Sequence, residues 1–273
     1  MVTQEQRRRQ LAREKFLRQQ QRRTAARRKS HMRNTVIASV LGVVVVGSVV
    51  SYATGVFKND DKKANAGAEV TPSAAPTSKA PDPCEKPAAG AVKSLSYKKE
   101  PAVTIDKSAD YTMKMATTCG DIDIALNASA APHTVNSFDF LAGKGFFDHT
   151  KCHRLTTNGI YVLQCGDPKG TGSGGPGYTI PDENLKDKTL KGGVYPAGTI
   201  AMANTGQKHT GGSQYFLVYQ DSQLPPSYTP FGTISKSGMT VLKKIAAAGE
   251  STGQGDGAPN ATVVINKMTV TKS

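Results

Sequence analysis

The side chains best suited to take part in chemistry are concentrated in one stretch, CHRLTTNGIYVLQCGD, which runs from Cys152 to Asp167. It holds two cysteines, a His-Arg pair and a glutamine among apolar residues. Such a set could form a metal site, a redox pair, a nucleic-acid-binding site or the wall of a pocket. The cysteines and histidine lack the paired ligand spacing of a zinc site, and the chain has no C-x-x-C motif. We therefore predict neither a metal nor a cofactor.

A second motif, Gly170 to Gly175, fits the dinucleotide fingerprint G-x-G-x-x-G. That fingerprint requires a helix to open at its end, because the pyrophosphate binds to the helix N-terminus. Here Pro176 and Gly177 follow directly. The segment is therefore interpreted as an irregular loop without a nucleotide.

Positive charge is concentrated at the N-terminus. The first 33 residues hold twelve Lys or Arg and two Glu, so this segment carries most of the net charge of +14. The rest of the chain is only mildly basic, and a nucleic-acid-binding domain is not expected. The basic tail, residues 1–34, either fixes membrane topology only or also contacts anionic lipid headgroups or nucleic acid. We favour the first interpretation.

Residues 35–57 contain no charged side chain, and about 20 apolar residues suffice to cross a bilayer as a helix. The flanking positive charge predicts a cytoplasmic N-terminus and an extracytoplasmic remainder, in a single-pass protein of the cell membrane. The alternative is a cleaved signal peptide, with a small-residue site at Ser51-Tyr52-Ala53. We favour a retained anchor, because the basic region and the apolar run are both longer than in an ordinary signal peptide.

Residues 58–96 are rich in Ala, Pro, Ser and Lys and predict a disordered linker. Residues 97–273 then form one domain of ordinary size. The four cysteines all lie on the side predicted to be exported, at positions 84, 119, 152 and 165. Their even number favours disulfides, for which three pairings are open.

The domain is expected to be dominated by β-structure. Residues 111–118 and 121–126 alternate as in a β-hairpin around Cys119-Gly120, and further strands are predicted at 199–203, 214–219, 231–235 and 262–271. Helical spacing follows Pro132, and again occurs between Met239 and Gly249. Many strands with two isolated helices predict a closed antiparallel barrel capped by helices.

Three further stretches complete a set of ordered motifs. His153-Arg154 is followed by Gln164-x-Gly-Asp-Pro, then by Met-Ala-Asn at 202–204, Gly-Ser-Gln-Tyr-Phe at 212–216 and Phe-Gly at 231–232. In this order the motifs resemble the cyclophilins, the peptidyl-prolyl cis/trans isomerases, and among them the membrane-anchored bacterial type. The resemblance covers about residues 111–273. It implies an eight-stranded closed antiparallel β-barrel with two capping α-helices, and proline-containing polypeptides as partners.

The resemblance also implies roles for individual residues. Arg154 would be the catalytic arginine, and the other members of the site would bind the substrate: Tyr161, Val162, Gln164, Ala203, Asn204, Gln214, Phe216, Leu224, Tyr228 and Phe231. Arg154 could instead be a surface arginine paired with a carboxylate, and Phe216 and Phe231 could be ordinary core. His153 is assigned a structural role, hydrogen-bonded beneath its strand.

Within that framework the cysteines are expected to act as braces. Cys152 and Cys165 bracket the hairpin that carries Arg154 and Gln164, which would leave Cys84 to pair with Cys119. This pairing is a hypothesis.

The chain departs from the family pattern in several places. It has no tryptophan, with Gln223 beside Leu224 where many relatives place one, and Tyr228 replaces a frequent histidine. The interval from Arg154 to Gln164 is also longer than usual by about two residues. The missing tryptophan puts tight cyclosporin binding in doubt. Two alternatives to an isomerase remain. One is a non-catalytic module that binds proline segments as a chaperone or envelope protein, and the other is an adaptor that works through its basic tail. The sequence makes no prediction about oligomeric state or natural clients.

Overall fold

The computed structural model describes residues 81–272. The predicted basic tail, the predicted transmembrane helix, the first part of the predicted linker (58–80) and Ser273 lie outside the described residues. Within residues 81–272, no helix is long and apolar enough to cross a membrane.

The predicted β-hairpin forms the start of the main sheet. Strand β1 (Tyr111–Thr117) pairs with β2 (Gly120–Leu126) in antiparallel register, and β1 also pairs with the last strand, β12 (Val264–Lys272). Side chains of β1 alternate between buried and less buried positions, with Met113 and Met115 fully buried. The period of two that predicted the hairpin therefore separates an inner from an outer face.

Two α-helices occur within residues 81–272, as expected. Helix α1 (Pro132–Gly143) has proline in its first turn, where the missing N–H costs no hydrogen bond, and it buries Val135, Phe138 and Leu141. Helix α2 (Lys236–Ala247) is capped by Ser235, whose side-chain oxygen accepts the Gly238 N–H at 3.0 Å.

The main sheet is antiparallel and has ten strands rather than the expected eight. Its other members are β3 (Thr150–Lys151), β4 (Arg154–Thr156), β5 (Val162–Cys165), β7 (Thr199–Met202), β8 (Tyr215–Val218), β10 (Pro230–Ile234) and β11 (Asp256–Gly257). The spatial order is β11-β4-β5-β8-β7-β10-β2-β1-β12-β3, and β6 (Val194–Tyr195) pairs with β9 (Ser222–Gln223) in a separate ribbon. The family resemblance implied eight strands in a closed barrel. The sheet instead has an open order, with the two-residue strands β11 and β3 at its two ends.

Strands β3 and β4 are separated only by Cys152 and His153. Strand β3 pairs with β12, whereas β4 pairs with β5. Between them the Cys152 N–H donates to the Val263 carbonyl and the His153 N–H to the Gln164 carbonyl, both at 3.0 Å. One bent segment thus connects two parts of the curled sheet and delivers Arg154 to the start of β4.

Strand β8 is buried on both faces, which explains its continuous apolar sequence. Tyr215 and Leu217 belong to the interior core, while Phe216 and Val218 belong to a second apolar cluster on the opposite face. This second cluster consists of Val162, Tyr195, Ala201, Phe216 and Val218 and is called here the outer cluster.

The N-terminal segment, residues 81–96, is the last part of the predicted linker. It has no helix or strand, but it is attached to the domain. The Glu85 N–H donates to the Thr118 carbonyl at 2.8 Å, and Leu95 packs against the interior core. Composition alone did not reveal these contacts, because they are made by main-chain groups, by one disulfide and by a few single side chains such as that of Leu95.

Both expected disulfides are present: Cys84 is bonded to Cys119 and Cys152 to Cys165. The first attaches the N-terminal segment to the β1–β2 hairpin. The second closes the β4–β5 hairpin across its ends. A cross-link restricts the unfolded chain more when it closes a longer loop.

Replacing Cys84 and Cys119 together by serine should lower the free energy of unfolding by up to about 4 kcal/mol. Replacing Cys152 and Cys165 together should lower it by up to about 3 kcal/mol, because the second disulfide closes a shorter loop. The separations are 35 and 13 residues. Urea unfolding of the two double variants and the oxidised parent measures this. Four free thiols in the oxidised parent, counted by mass spectrometry, would refute both pairings.

Candidate active site

The β4–β5 hairpin places Arg154 directly opposite Gln164 in the antiparallel register. Residues opposite each other in such a pair project to the same face of the sheet, so the two side chains are neighbours. The Arg154 Nη1 group donates to Gln164 Oε1 at 3.2 Å. The two residues that the motif singled out are therefore in contact.

The guanidinium of Arg154 also forms a two-pronged ion pair with Asp256. Nε donates to Oδ1 at 2.7 Å and Nη2 to Oδ2 at 2.8 Å. The Asp256 carboxylate raises the pKa of Arg154, so the guanidinium stays charged. Pairing with a carboxylate was the alternative considered for Arg154, and the structure shows that this pairing and a place at the pocket coexist.

Hydrogen bonds continue from Arg154 across the sheet. Gln164 Nε2 donates to Gln214 Oε1 at 2.9 Å, and Gln214 Nε2 donates to the Gly174 carbonyl at 2.8 Å. Each amide therefore accepts on one side and donates on the other, which fixes its orientation. This chain of bonds links β4, β5, the residue directly before β8 and the glycine-rich loop at residues 170–175.

Beside Arg154 lies a small pocket of about 120 Å³ over the outer cluster. It brings together most of the predicted substrate-binding residues. Its lining consists of Arg154, Ile160, Val162, Gln164, Ala203, Asn204, Phe216, Leu224 and Tyr228. Apolar side chains form one side of the pocket and the guanidinium and amides the other.

Three predicted residues are absent from this lining, namely Tyr161, Gln214 and Phe231. Gln214 lines the neighbouring larger groove instead. Tyr161 packs its ring against Tyr219, with ring centres 5.8 Å apart, and Ile160 takes the expected place in the wall. Phe231 is fully buried in the interior core, with its ring centre 4.8 Å from that of Phe138. The alternative interpretation of Phe231 as core is therefore correct.

The period of two explains the exchange of Tyr161 for Ile160. Side chains at 160, 162 and 164 project to one face of an extended segment, and those at 161 and 163 to the other. Val162 and Gln164 line the pocket, whereas Leu163 belongs to the interior core. Parity along the strand was thus a signal in the sequence that could have identified Ile160.

The far side of the pocket is held by Tyr195, which sequence reasoning missed. Its hydroxyl donates to the Tyr228 carbonyl at 2.8 Å and accepts the Tyr228 N–H at 3.2 Å. Asn204 Nδ2 donates to the Ser227 carbonyl at 2.8 Å, rather than pointing only toward a ligand. These bonds fix the loop on which Tyr228 packs edge-on against Phe216, with ring centres 5.3 Å apart.

Comparison with known proteins agrees with this geometry. The family model described as "Cyclophilin type peptidyl-prolyl cis-trans isomerase/CLD" matches residues 112–270. The chain belongs to the cyclophilin family.

Individual proteins are similar to parts of the chain. The chain is 51% identical over 168 residues to "Probable peptidyl-prolyl cis-trans isomerase B" of Mycobacterium leprae, which is 59% of this chain and 57% of that protein. It is 40% identical over 126 residues to "Peptidyl-prolyl cis-trans isomerase B" of Bacillus subtilis, covering 46% of this chain and 82% of the relative. A solved cyclophilin-type isomerase of Cryptosporidium parvum matches with a TM-score of 0.49 at 24% identity, covering 60% of this chain and 99% of that one.

The cyclophilin domain also has a larger groove, of about 850 Å³, next to the small pocket. The two cavities share Gln164, Ala203 and Asn204. Residues Ser94 to Ser96 of the N-terminal segment and the glycine-rich loop line the remainder of the groove. An extended peptide with one residue in the small pocket therefore has room to continue along the surface.

The glycine-rich loop folds around the buried carboxylate of Asp167. The Lys169, Thr171 and Gly172 N–H groups donate to it at 2.7, 2.9 and 2.6 Å. Burial disfavours the charged form, but the backbone N–H groups, with that of Gly174 foremost, lower the pKa of Asp167 overall. These donors already bind a carboxylate, and no helix follows the loop directly. The arrangement thus differs from a dinucleotide site, in which a helix N-terminus binds the phosphates.

His153 lies beneath the same loop and does not make the expected hydrogen bond. Both ring nitrogens are buried, and neither has a partner among the residues that the structure describes. Burial lowers the pKa of His153 and Arg154 lowers it further, while the Asp167 carboxylate opposes the shift. The neutral ring is therefore the form that the fold favours. Among residues 81–272, no cluster of three or more His, Cys, Asp or Glu side chains could hold a metal.

The lowered pKa of His153 predicts a stability change at mildly acidic pH. The unfolded chain binds a proton near the ordinary value of 6.5, whereas the folded protein does so only at lower pH. Stability is therefore complete above about pH 6.5 and falls as the pH decreases toward the lowered folded value. Urea unfolding at pH 7.5 and 5.5 should show a smaller loss for His153→Leu than for the parent.

His209→Leu is the control, because its side chain is 63% exposed. The carboxyl groups with lowered pKa, such as Asp167 and Glu250, change the stability only below about pH 4.5. They therefore do not contribute between pH 7.5 and 5.5. An equal pH response of parent and His153→Leu would contradict the assignment.

Proposed function

We propose that this cyclophilin accelerates cis/trans isomerisation of X-Pro bonds in exported polypeptides. The observation that carries the proposal is a charged guanidinium held beside a small apolar pocket that opens onto a peptide-sized groove. The names of the relatives at about 50% and 40% identity support the same activity. The chain spans a little over half the length of the mycobacterial relatives that it matches.

The reaction makes and breaks no bond to another atom. Rotation about X-Pro meets a barrier of about 20 kcal/mol because twisting interrupts amide resonance. In the twisted state the lone pair of the prolyl nitrogen is localised, so a hydrogen-bond donor aimed at that nitrogen stabilises it selectively. The reaction needs no nucleophile or general base.

The site supplies both requirements for this chemistry. The proline ring would occupy the pocket over Val162, Phe216 and Leu224, and Arg154 would supply the donor. A cavity of about 150 Å³ accommodates a benzene ring, so the open pocket of about 120 Å³ suits a smaller five-membered ring. A rate gain of about 10⁵ corresponds to about 7 kcal/mol, a plausible sum for one charged donor plus positioning.

Arg154→Ala should reduce kcat/KM for a short Ala-Pro peptide by about 100-fold or more, because it removes the one charged donor among the described residues that line the pocket. Binding of the peptide should change little, because the apolar wall remains. The measurement is cis-to-trans conversion by the purified, oxidised full chain, together with peptide binding by calorimetry. Lys151→Ala, which removes another positive charge from the same bent segment, is the matched control.

A second function of another class is binding without turnover, as a chaperone or envelope interaction module. The longer Arg154–Gln164 interval favours it to the extent that the loop reshapes the pocket rim. Peptide binding by the parent without any acceleration would establish this function and exclude the isomerase.

We also propose that the protein is held in the cell membrane by residues 35–57, with the isomerase domain outside the cytoplasm. The uncharged run behind a basic tail supports this arrangement. Two disulfides within the domain also support it, because they persist in oxidising compartments.

Deletion of residues 35–57 should move the protein from the membrane to the soluble fraction. In the parent, added protease should cleave the isomerase domain only when the outer face of the membrane is accessible. Fractionation of cells expressing both forms tests this. A mature protein that begins just after Ala53 would establish the signal-peptide alternative, and free thiols with protease protection would place the domain inside.

A further inference from the structure

The ion pair between Arg154 and Asp256 joins distant parts of the chain. The two residues are separated by 102 positions, and Asp256 lies on β11 at the edge of the sheet. Strand β11 pairs with β4 so that Asp256 is opposite Thr156 and Gly257 opposite Leu155. The short strand β11 therefore places one carboxylate beside the guanidinium.

The donor inventory of Arg154 is almost fully assigned. A guanidinium has five N–H groups in a fixed planar fork. Two of them bind Asp256 and one binds Gln164. The two that remain are both on Nη atoms, the end of the side chain that a bound peptide can reach. Asp256 thus leaves two N–H groups at the end of the Arg154 side chain available and holds the guanidinium in place.

This geometry requires an arginine, and the sequence places one here although it uses lysine elsewhere in the domain. After Arg33, Arg154 is the only arginine, and every other permanently cationic side chain is lysine. A lysine ammonium cannot bind one carboxylate through two parallel N–H bonds and still present a third donor in a fixed direction. The single guanidinium in this part of the chain is therefore the one that pairs with Asp256.

The loop that carries Asp256 is itself well ordered. The Glu250 carboxylate accepts the Thr252 N–H at 2.6 Å and the Gly255 N–H at 2.8 Å. The Thr157 N–H donates to the Gly255 carbonyl at 2.9 Å, which joins this loop to the longer segment between Arg154 and Gln164. The longer interval is thus packed against the segment that supplies the carboxylate.

We propose that Asp256 is a positioning residue, which orients the Arg154 guanidinium toward the proline pocket; this inference rests on the isomerase function proposed above. Two effects of the carboxylate oppose each other. It restricts a long side chain that would otherwise populate many rotamers, and it partly neutralises the charge offered to the substrate. Arg154 is 37% and Asp256 56% exposed, so solvent screens the charge effect and orientation dominates.

The experiment measures kcat and KM of the full chain and of Asp256→Ala, Asp256→Asn and Asp256→Glu. We expect Asp256→Ala to lower kcat about tenfold with little change in KM, and Asp256→Glu to recover part of the loss. Asp121→Ala is the control, because it removes a carboxylate that makes a surface ion pair of the same 2.7 Å length with Lys114. The control should retain parental kinetics.

A double-mutant cycle with Arg154→Ala distinguishes positioning from a general structural effect. If Asp256 acts through Arg154, Asp256→Ala has no further effect on kcat in the Arg154→Ala background. Parental kcat in Asp256→Ala, higher kcat in Asp256→Asn, or an undiminished effect without Arg154 would each overturn the proposal. An inactive parent would refute the isomerase function instead, and is recognised before any variant is compared.

Discussion

The constraint on which the site depends is that one group of strands must be buried on both faces. Strand β8 and its neighbours pack the interior core with one set of side chains and the outer cluster with the alternate set. A shift of register by one residue would exchange the two sets and expose the wrong side chains. The apolar pocket is therefore secured by the same pairing that secures the core, and it is rigid because its floor is a sheet.

The polar side of the site depends on continuity rather than on burial. Asp256, Arg154, Gln164, Gln214 and the Gly174 carbonyl form one line of hydrogen bonds across five structural segments. Each bond orients the next group, and such chains strengthen one another when partly shielded from water. The Cys152–Cys165 disulfide closes the hairpin at the centre of this line. Covalent and polar links thus hold the donors, while apolar packing holds the surface that they face.

This division suits the proposed reaction, which is a rotation about the X-Pro bond. A site that transfers protons must set the pKa of its catalytic groups near the working pH, but a site that stabilises a twisted amide needs only a permanent donor and a fixed ring. Arg154 remains charged throughout the physiological range, and its carboxylate partner reinforces this. The substitutions at Gln223 and Tyr228 leave this core of the site intact, because Leu224, Tyr228 and Phe216 still enclose the pocket.

The sequence alone determined the longer elements and the main chemical groups of this protein. Alternation predicted the hairpin, helical spacing predicted both helices, and ordered motifs indicated Arg154, Gln164 and the cysteine pairs, because these signals are local or repeat a family pattern. Only the tertiary structure placed Asp256 beside Arg154, Phe231 in the interior, Ile160 instead of Tyr161 in the wall, and residues 81–96 against the domain. The physical reason is that these features depend on strand parity and on contacts between segments far apart in the chain, which no local pattern records.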